Sequence, residues 1–340
     1  MTVKVVTQNT KAGEAMSLAR LWKKSVVACL MGALVSGVSA AYPEKAVRIV
    51  VPFPPGGATD VVARALGARL GQIWQQPVVI ENKAGAGGNI GADTVVKSAP
   101  DGYTLLMSSP AEIAINPHLY SKMPFDPMRD LVPVTRVASA PLVMVVNAGK
   151  STAKSVADVV SAAKSDSRGL TFASSGTGGP QHLAGELFKL MSGAKLTHIP
   201  YKGGAPAITD LLGGQVDFFF AGIPPAIPHL KSGKLRALAV TTAKPSALLP
   251  GVPALAESGF MGFDIVNWQG IFVPAGTSMS VVEKLAKDIA AVAADKAFVE
   301  QLAAQGAVPT VNGPREFRTF VQQESAKYQK LVSESGARVD

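Results

Sequence analysis

The stretch VRIVVPFPPGGATDVVARALGARL (residues 47–70) constrains this chain more than any other. It opens with a β-branched apolar run that reads as a buried strand. Pro52, Pro54, Pro55, Gly56 and Gly57 then stop the strand with turn chemistry. Beyond the turn, Val62, Ala65, Leu66, Leu70 and Ile73 recur at helical spacing, with Thr59 or Asp60 where an N-cap would stand. A strand, a glycine turn and a helix N-terminus in sequence present unpaired N–H groups and a positive dipole end, a combination suited to anions. The same device also merely connects elements in any α/β domain.

The pattern recurs. Residues 76–81 read as a strand and feed a second glycine turn, NKAGAGGNIG (82–91). Further strands are expected at 103–107, 141–146, 170–173, 196–201, 216–220, 235–241 and 267–274. The strand at 170–173 leads into SSGTGG (174–179), and Pro180 opens a helix whose Leu183, Leu187, Leu190 and Met191 share one face. Amphipathic helices are expected at 155–164, 280–294 and 314–333. Short apolar runs alternating with amphipathic stretches indicate α/β architecture. Two such series without a low-complexity linker suggest two lobes facing across a cleft, with ligand at the carboxyl ends of the strands. The C-terminal helices are expected to return to the first lobe.

At 340 residues the chain is long enough for about two domains. Its 47% hydrophobic and 17% charged residues describe a globular chain with ample core. The N-terminus differs: Arg20, Lys23 and Lys24 precede an apolar stretch at 25–38 that ends in Val38-Ser39-Ala40. This reads as a secretory signal peptide over residues 1–40, cleaved after Ala40 or Ala41, with Met16 an alternative start. Cleavage would remove Cys29, the only cysteine, and leave 28 basic against 23 acidic residues, a balance of +5. That mild positive field favours anionic ligands. It is too dispersed for nucleic acid, because no Lys/Arg run interleaves with aromatics.

Other chemistries find little support. Gly85-Ala-Gly87-Gly-Asn-Ile90 misses the third glycine of a dinucleotide fingerprint, and no phosphate loop with a terminal Gly-Lys-Ser/Thr occurs. Ser108, Ser109, Ser174 and Ser175 lack a nucleophile elbow. The pairing of Ser175 with His182 is the competing reading, an exported α/β hydrolase. His118, His182, His198 and His229 show no metal spacing, so neither metal nor cofactor is expected. Asp60 reads as an N-cap or an amine-binding carboxylate. Asp217, within QVDFFF, reads as a polar strand end or a ligand contact.

Taken together, YPEKAVRIVVPFPPGGATD (42–60), ENKAGAGGNIG (81–91), PDGYTLL (100–106), INPHLY (115–120), HIPYKGG (198–204), GGQVD (213–217) and PGVPALAESG (250–259) resemble the Bug or TctC family of extracytoplasmic solute receptors of tripartite tricarboxylate transporters. The resemblance covers essentially the whole chain after the leader. It implies an α/β, two-lobed periplasmic-binding-protein fold of type II-like form, closing on a small carboxylated solute. Lobe 1 would comprise 41–141 plus 267–340, and lobe 2 residues 142–266. The implied ligand set is Phe53, Gly56, Gly57, Thr59, Asp60, Gly87, Gly88, Asn89, Ser108 and Ser109 from the first lobe. Ser175, Gly176, Thr177, Gly178 and His182 come from the second, with Asp217 as a further candidate. Implied partners are the membrane permease subunits, or alternatively a sensor-kinase ectodomain. The protein would be a periplasmic, monomeric, non-enzymatic receptor. One departure stands out: Glu112, after Ser109-Pro110-Ala111, puts a carboxylate near a loop expected to face the cleft. Pointing inward, it would disfavour a second carboxylate there.

Overall fold

The computed structural model describes residues 42–335. The proposed signal peptide therefore lies outside the described residues, save that its later cleavage option abuts them. Residues 45–340 make up one unit of the chain and carry all the elements below. They run β1 (Val47–Val51), α1 (Ala58–Trp74), β2 (Val78–Asn82), a 3-10 turn (Ala86–Gly88), α2 (Asn89–Val96) and β3 (Thr104–Ser108). A π-helical turn (Ala111–Ile115), α3 (Asn116–Leu119), α4 (Pro127–Asp130) and β4 (Leu131–Asn147) follow. Next come α5 (Val156–Ser165), β5 (Leu170–Ser174), α6 (Pro180–Ser192), β6 (Leu196–Pro200), α7 (Gly204–Gly213), β7 (Phe218–Gly222), α8 (Ile223–Lys231) and β8 (Leu235–Val240). The chain ends with β9 (Val266–Pro274), α9 (Met279–Ala293), α10 (Lys296–Ala304), β10 (Val308–Pro309) and α11 (Pro314–Ser335).

The strands run in the order β2-β1-β3-β9-β4-β7-β5-β6, with β8 and β10 also on β4. β1 is parallel to β2 and β3, and β5 is parallel to β6 and β7. Each parallel set thus sends its carboxyl ends to one edge. β4 joins the two sets: residues 131–141 pair with β9, and 142–147 pair with β7 and β8. Sequence periodicity located only the second part of β4. Its first part is interrupted by Pro133 and by register shifts at Pro133/Thr135 and Arg136/Ala138, which break the alternation that marks a strand. Periodicity also passed over α7, which opens on Gly-Ala-Pro, and α10.

The carboxyl-terminal helices pack back on the first half. Trp74 Nε1 of α1 donates to Asp288 Oδ2 of α9 at 2.6 Å, and Arg69 reaches Asp295 beside α10. α11 packs on the π-turn, on β4 and on α6. Trp268, fully buried on β9, donates Nε1 to Glu324 Oε2 of α11 at 3.0 Å and stacks edge-on against Phe317. Gly270 lets the tip of the Phe317 ring reach the sheet, since a Cβ there would come 2.3 Å from it. The core is therefore continuous from the first parallel set, through β9, to Phe172, Phe188, Phe218 and Phe220 of the second. Among the described residues no helix is long and apolar enough to cross a membrane.

Candidate functional site

The first glycine turn is held from behind by charge. α1 starts at Ala58 with Gly57 as its N-cap, so Thr59 and Asp60 sit inside the first turn rather than capping it. Asp60, almost fully buried, instead ties the turn together. Its Oδ2 accepts from the Gly56 N–H at 2.8 Å and from Arg64 Nε at 2.9 Å, while Oδ1 accepts from Asn82 Nδ2 at 2.8 Å. Asn82 Nδ2 also donates to the Phe53 carbonyl. Burial alone would raise the Asp60 carboxyl, but hydrogen bonds from Arg64, Gly56 and Asn82 outweigh it and hold the group below the usual carboxylate range. All three donors lie in the protein, so Asp60 is a brace and not a free base. No side chain caps α1, and the N–H groups of Ala58, Thr59 and Asp60 remain uncommitted within the turn. Asp60→Ala should cost about 2–4 kcal/mol by orphaning buried donors, read as a lower urea midpoint at unchanged slope.

The second glycine turn lies beside the first. Gly85, Ala86, Gly87 and Gly88 all take positive φ, a path that glycine makes accessible at three of the four positions. Asn89, buried, accepts from Asn116 Nδ2 at 2.8 Å through its side-chain oxygen, and Asn116 also holds the Gly87 carbonyl at 3.0 Å. A Cβ on Gly88 would lie 3.1 Å from Glu112 Oε2 and 3.3 Å from Phe53 Cζ. Phe53, Gly88 and Glu112 therefore meet. Glu112 is wholly buried: its Oε1 accepts from the Ser109 N–H at 2.7 Å and its Oε2 from Ser109 Oγ at 2.8 Å. It lies on the side of Gly88 where a side chain would project, and burial pushes its carboxyl up to about 7. Ser108 is turned away, donating across the sheet to the Gly270 carbonyl at 3.1 Å. Ser109 is likewise bonded to Glu112.

In the second half, SSGTGG forms a turn at the end of β5. Ser174 Oγ donates to the Gly176 carbonyl at 3.0 Å and accepts from the Gly176 N–H at 3.2 Å. The Gly178 N–H donates to His182 Nδ1 at 3.1 Å. Gly176 and Gly178 thus use their donors inside the turn, whereas Ser175, Thr177 and Gly179 do not. α6 follows with Gly179 as N-cap, Pro180 in its first turn and no side-chain cap. Behind the turn, the rings of His182 and His198 stack at 4.0 Å. Burial, then the neighbouring His198 and Lys189, lower His182 to about 3; burial and Lys189 lower His198 to about 4. Both rings are neutral near pH 7. The serine next to a histidine is Ser174, not Ser175, with Oγ 2.6 Å from His198 Nε2. The same hydroxyl also lies 3.0 Å from the Gly176 carbonyl, which competes for its proton. The Ser175–His182 pairing needed for hydrolysis is not formed.

The two turns converge through α3. A Cβ on Gly178 would come 2.7 Å from Leu119 of α3, and one on Gly87 would come 2.8 Å from the hydroxyl of adjoining Tyr120. Asp217 does not join them. It precedes β7, and its Oδ2 accepts from the Thr171 N–H and Oγ1 at 2.7 and 2.8 Å, near the amino end of β5. It borders a separate depression of about 320 Å³, lined also by Asn147, Lys150 and Asp158. Among the described residues no cluster of three or more His, Cys, Asp or Glu is arranged for a metal.

Comparison with known proteins agrees with this architecture. Residues 62–337 match the family model described as "Tripartite tricarboxylate transporter family receptor". Protein BugT of Bordetella pertussis is 40% identical over 326 residues, covering 95% of this chain and all of BugT. The structure described as R. palustris Rpa4515 with adipate is 36% identical, covers 88% of this chain and all of that one, and superposes with a TM-score of 0.78. MatC (Rpa3494) from Rhodopseudomonas palustris with bound malate is 29% identical, covers 86% of this chain and all of that one, and superposes with a TM-score of 0.73. A match this long, on an α/β sheet whose glycine turns gather at the strand ends, places the chain in the TctC family of solute receptors, with their two-lobed periplasmic-binding-protein fold.

Proposed function

We infer that this protein binds a small carboxylated solute between the turns at 53–60 and 85–89 and the turn at 174–179, and delivers it to the permease subunits of a tripartite transporter. The observation that carries this reading is the pair of helix N-termini, α1 and α6, each opening from a glycine N-cap with no side-chain cap. A helix N-terminus contributes roughly 0.3–2 kcal/mol toward an anion, and a charge-assisted hydrogen bond about 1.5–3. Several such donors reach the roughly −8 kcal/mol of a micromolar complex without an arginine clamp. None of the three turns contains a Lys or Arg, and Lys83, two residues before the second, pairs its ammonium with Glu81 at 3.3 Å. Relatives solved with adipate and with malate support a dicarboxylate as the solute. Residues 41–141 plus 267–340 would act as one lobe and 142–266 as the other, flexing where β4 changes partners. Export to the periplasm, by cleavage after Ala40 or Ala41, and a receptor role without catalysis complete the reading.

The test is a thermal-shift and calorimetry panel of adipate, malate, monocarboxylates and aromatic acids. A solute at about 100 times its Kd stabilises the native state by about 2.7 kcal/mol, a rise of roughly 4 °C in Tm for a chain of this size. The solute should be recovered chemically unchanged. Turnover of a bound acid, or no shift with any carboxylate, overturns the reading.

A further inference from the structure

Glu112 is the one acidic group that the glycine turns enclose without a cationic partner. It sits in the π-turn that follows β3, beside Gly88 and Phe53. Both oxygens accept from Ser109, and Ser109 Oγ itself accepts from the Ala111 N–H at 3.2 Å. Charged or titratable groups on the elements packed against the π-turn are engaged elsewhere. On α11, Glu324 binds Trp268 Nε1 and the Lys327 ammonium, and Tyr328 is buried in the core. On α3, His118 Nε2 meets Ser325 Oγ at 2.9 Å, and on α4 Arg129 pairs with Asp130. β3 and the 3-10 turn carry no charged side chain, and the Tyr120 hydroxyl lies by Gly87. Among the described residues no Lys, Arg or His forms an ion pair with Glu112.

A buried carboxylate without a counter-charge is sensitive to any further anion nearby, because little solvent screens the two. The uncommitted N–H groups of Ala58, Thr59 and Asp60 would bring such an anion close to Phe53 and Gly88, which adjoin Glu112. We propose that Glu112 makes anion capture proton-linked, so that a carboxylate seated at the first-half glycine turns and a proton on the Glu112 carboxyl are taken up together and released together. The proton comes from solvent and returns to it. The carboxyl is poised for this role, since burial already brings it to about 7. This inference rests on the receptor reading above and deepens it: the site takes a fully ionised acid while adding only part of its charge.

Calorimetry of adipate and malate binding in phosphate and in Tris, between pH 7 and pH 9, separates proton uptake from binding heat. Simple dicarboxylates stay ionised at both ends in that range, and His182 and His198 stay neutral. Uptake should be about half a proton at pH 7 and approach one by pH 8.5, with affinity falling up to about tenfold per pH unit in the upper part of the range. Glu112→Gln should bind with a flat pH profile and no uptake. The wild-type buffer comparison stands even where that variant folds poorly. Binding without proton uptake, proton release on binding, or a pH slope retained in Glu112→Gln overturns the proton linkage while leaving the receptor intact. If neither acid nor any member of the wider carboxylate panel binds at any pH, the receptor reading falls, and the linkage with it.

Discussion

Gly178→Pro is expected to lower carboxylate affinity by at least a hundredfold while leaving the fold standing. Gly178 has φ near +81°, and proline is restricted to about −65°, so the turn cannot keep its path. The substitution also removes the N–H that donates to His182 Nδ1. That donor holds the turn and does not face outward, so the loss reaches a ligand indirectly. The Ser175, Thr177 and Gly179 N–H groups and the start of α6 all move off their common centre. Gly178→Ala keeps the N–H but strains the left-handed backbone and brings a methyl within 2.7 Å of Leu119, so an intermediate loss is expected. Replacing any single Lys or Arg should cost less than either. Titration calorimetry on variants whose Tm stays within a few degrees of wild type decides it. Full affinity in Gly178→Pro, with binding abolished by one Lys or Arg substitution, would sink the backbone-cradle account.

A second large effect is expected in stability against pH, where two buried groups act in opposite directions. Glu112 titrates near 7 in the fold and near 4.5 in the open chain. The folded state therefore holds its proton more tightly, a contribution present below pH 4.5 and lost as pH rises through 7. His182 and His198 do the reverse. The unfolded chain takes up protons below about 6.5 while the folded rings resist until about 3 and 4, so their contribution is lost as pH falls. Between pH 6.5 and 4.5 one carboxyl opposes two imidazoles, so stability should fall by about 1.4 kcal/mol per pH unit as pH drops. Below 4.5 the Glu112 contribution is constant and the histidines act unopposed, joined by Asp60, whose braced carboxylate must also protonate, and the protein should lose stability more steeply. Glu112→Gln removes one side of the balance. Relative to wild type it should gain about 3 kcal/mol between pH 4 and pH 8.5, roughly 4–5 °C in Tm. The same relative Tm at both pH values would show that Glu112 does not titrate across this window.

Much of this was legible in the linear sequence because it depends on neighbours. The β-branched run at 47–51, the glycine turns and the 3.6-residue spacing in α1, α6, α9 and α11 each encode a local preference that tertiary contacts reinforce. Boundaries and interruptions were less legible. The N-cap fell to Gly57 and not to Thr59 or Asp60, because the Asp60 carboxylate has a better use in bridging Gly56, Arg64 and Asn82. The first half of β4 was hidden by bulges that only its pairing with β9 explains.

The sequence by itself determined the class of the fold, its family and the kind of donor at its turns, since backbone N–H groups at glycine turns need no particular side chain. Which side chains serve those turns was decided only by tertiary structure. Ser108 and Ser109 face the sheet and Glu112; Gly176 and Gly178 close their own turn; Asp217 stands at the opposite end of β5. Glu112 and the stacked pair of His182 and His198 draw their chemistry from burial by elements distant in sequence. Desolvation is a property of the assembled core, and no local pattern of residues records it.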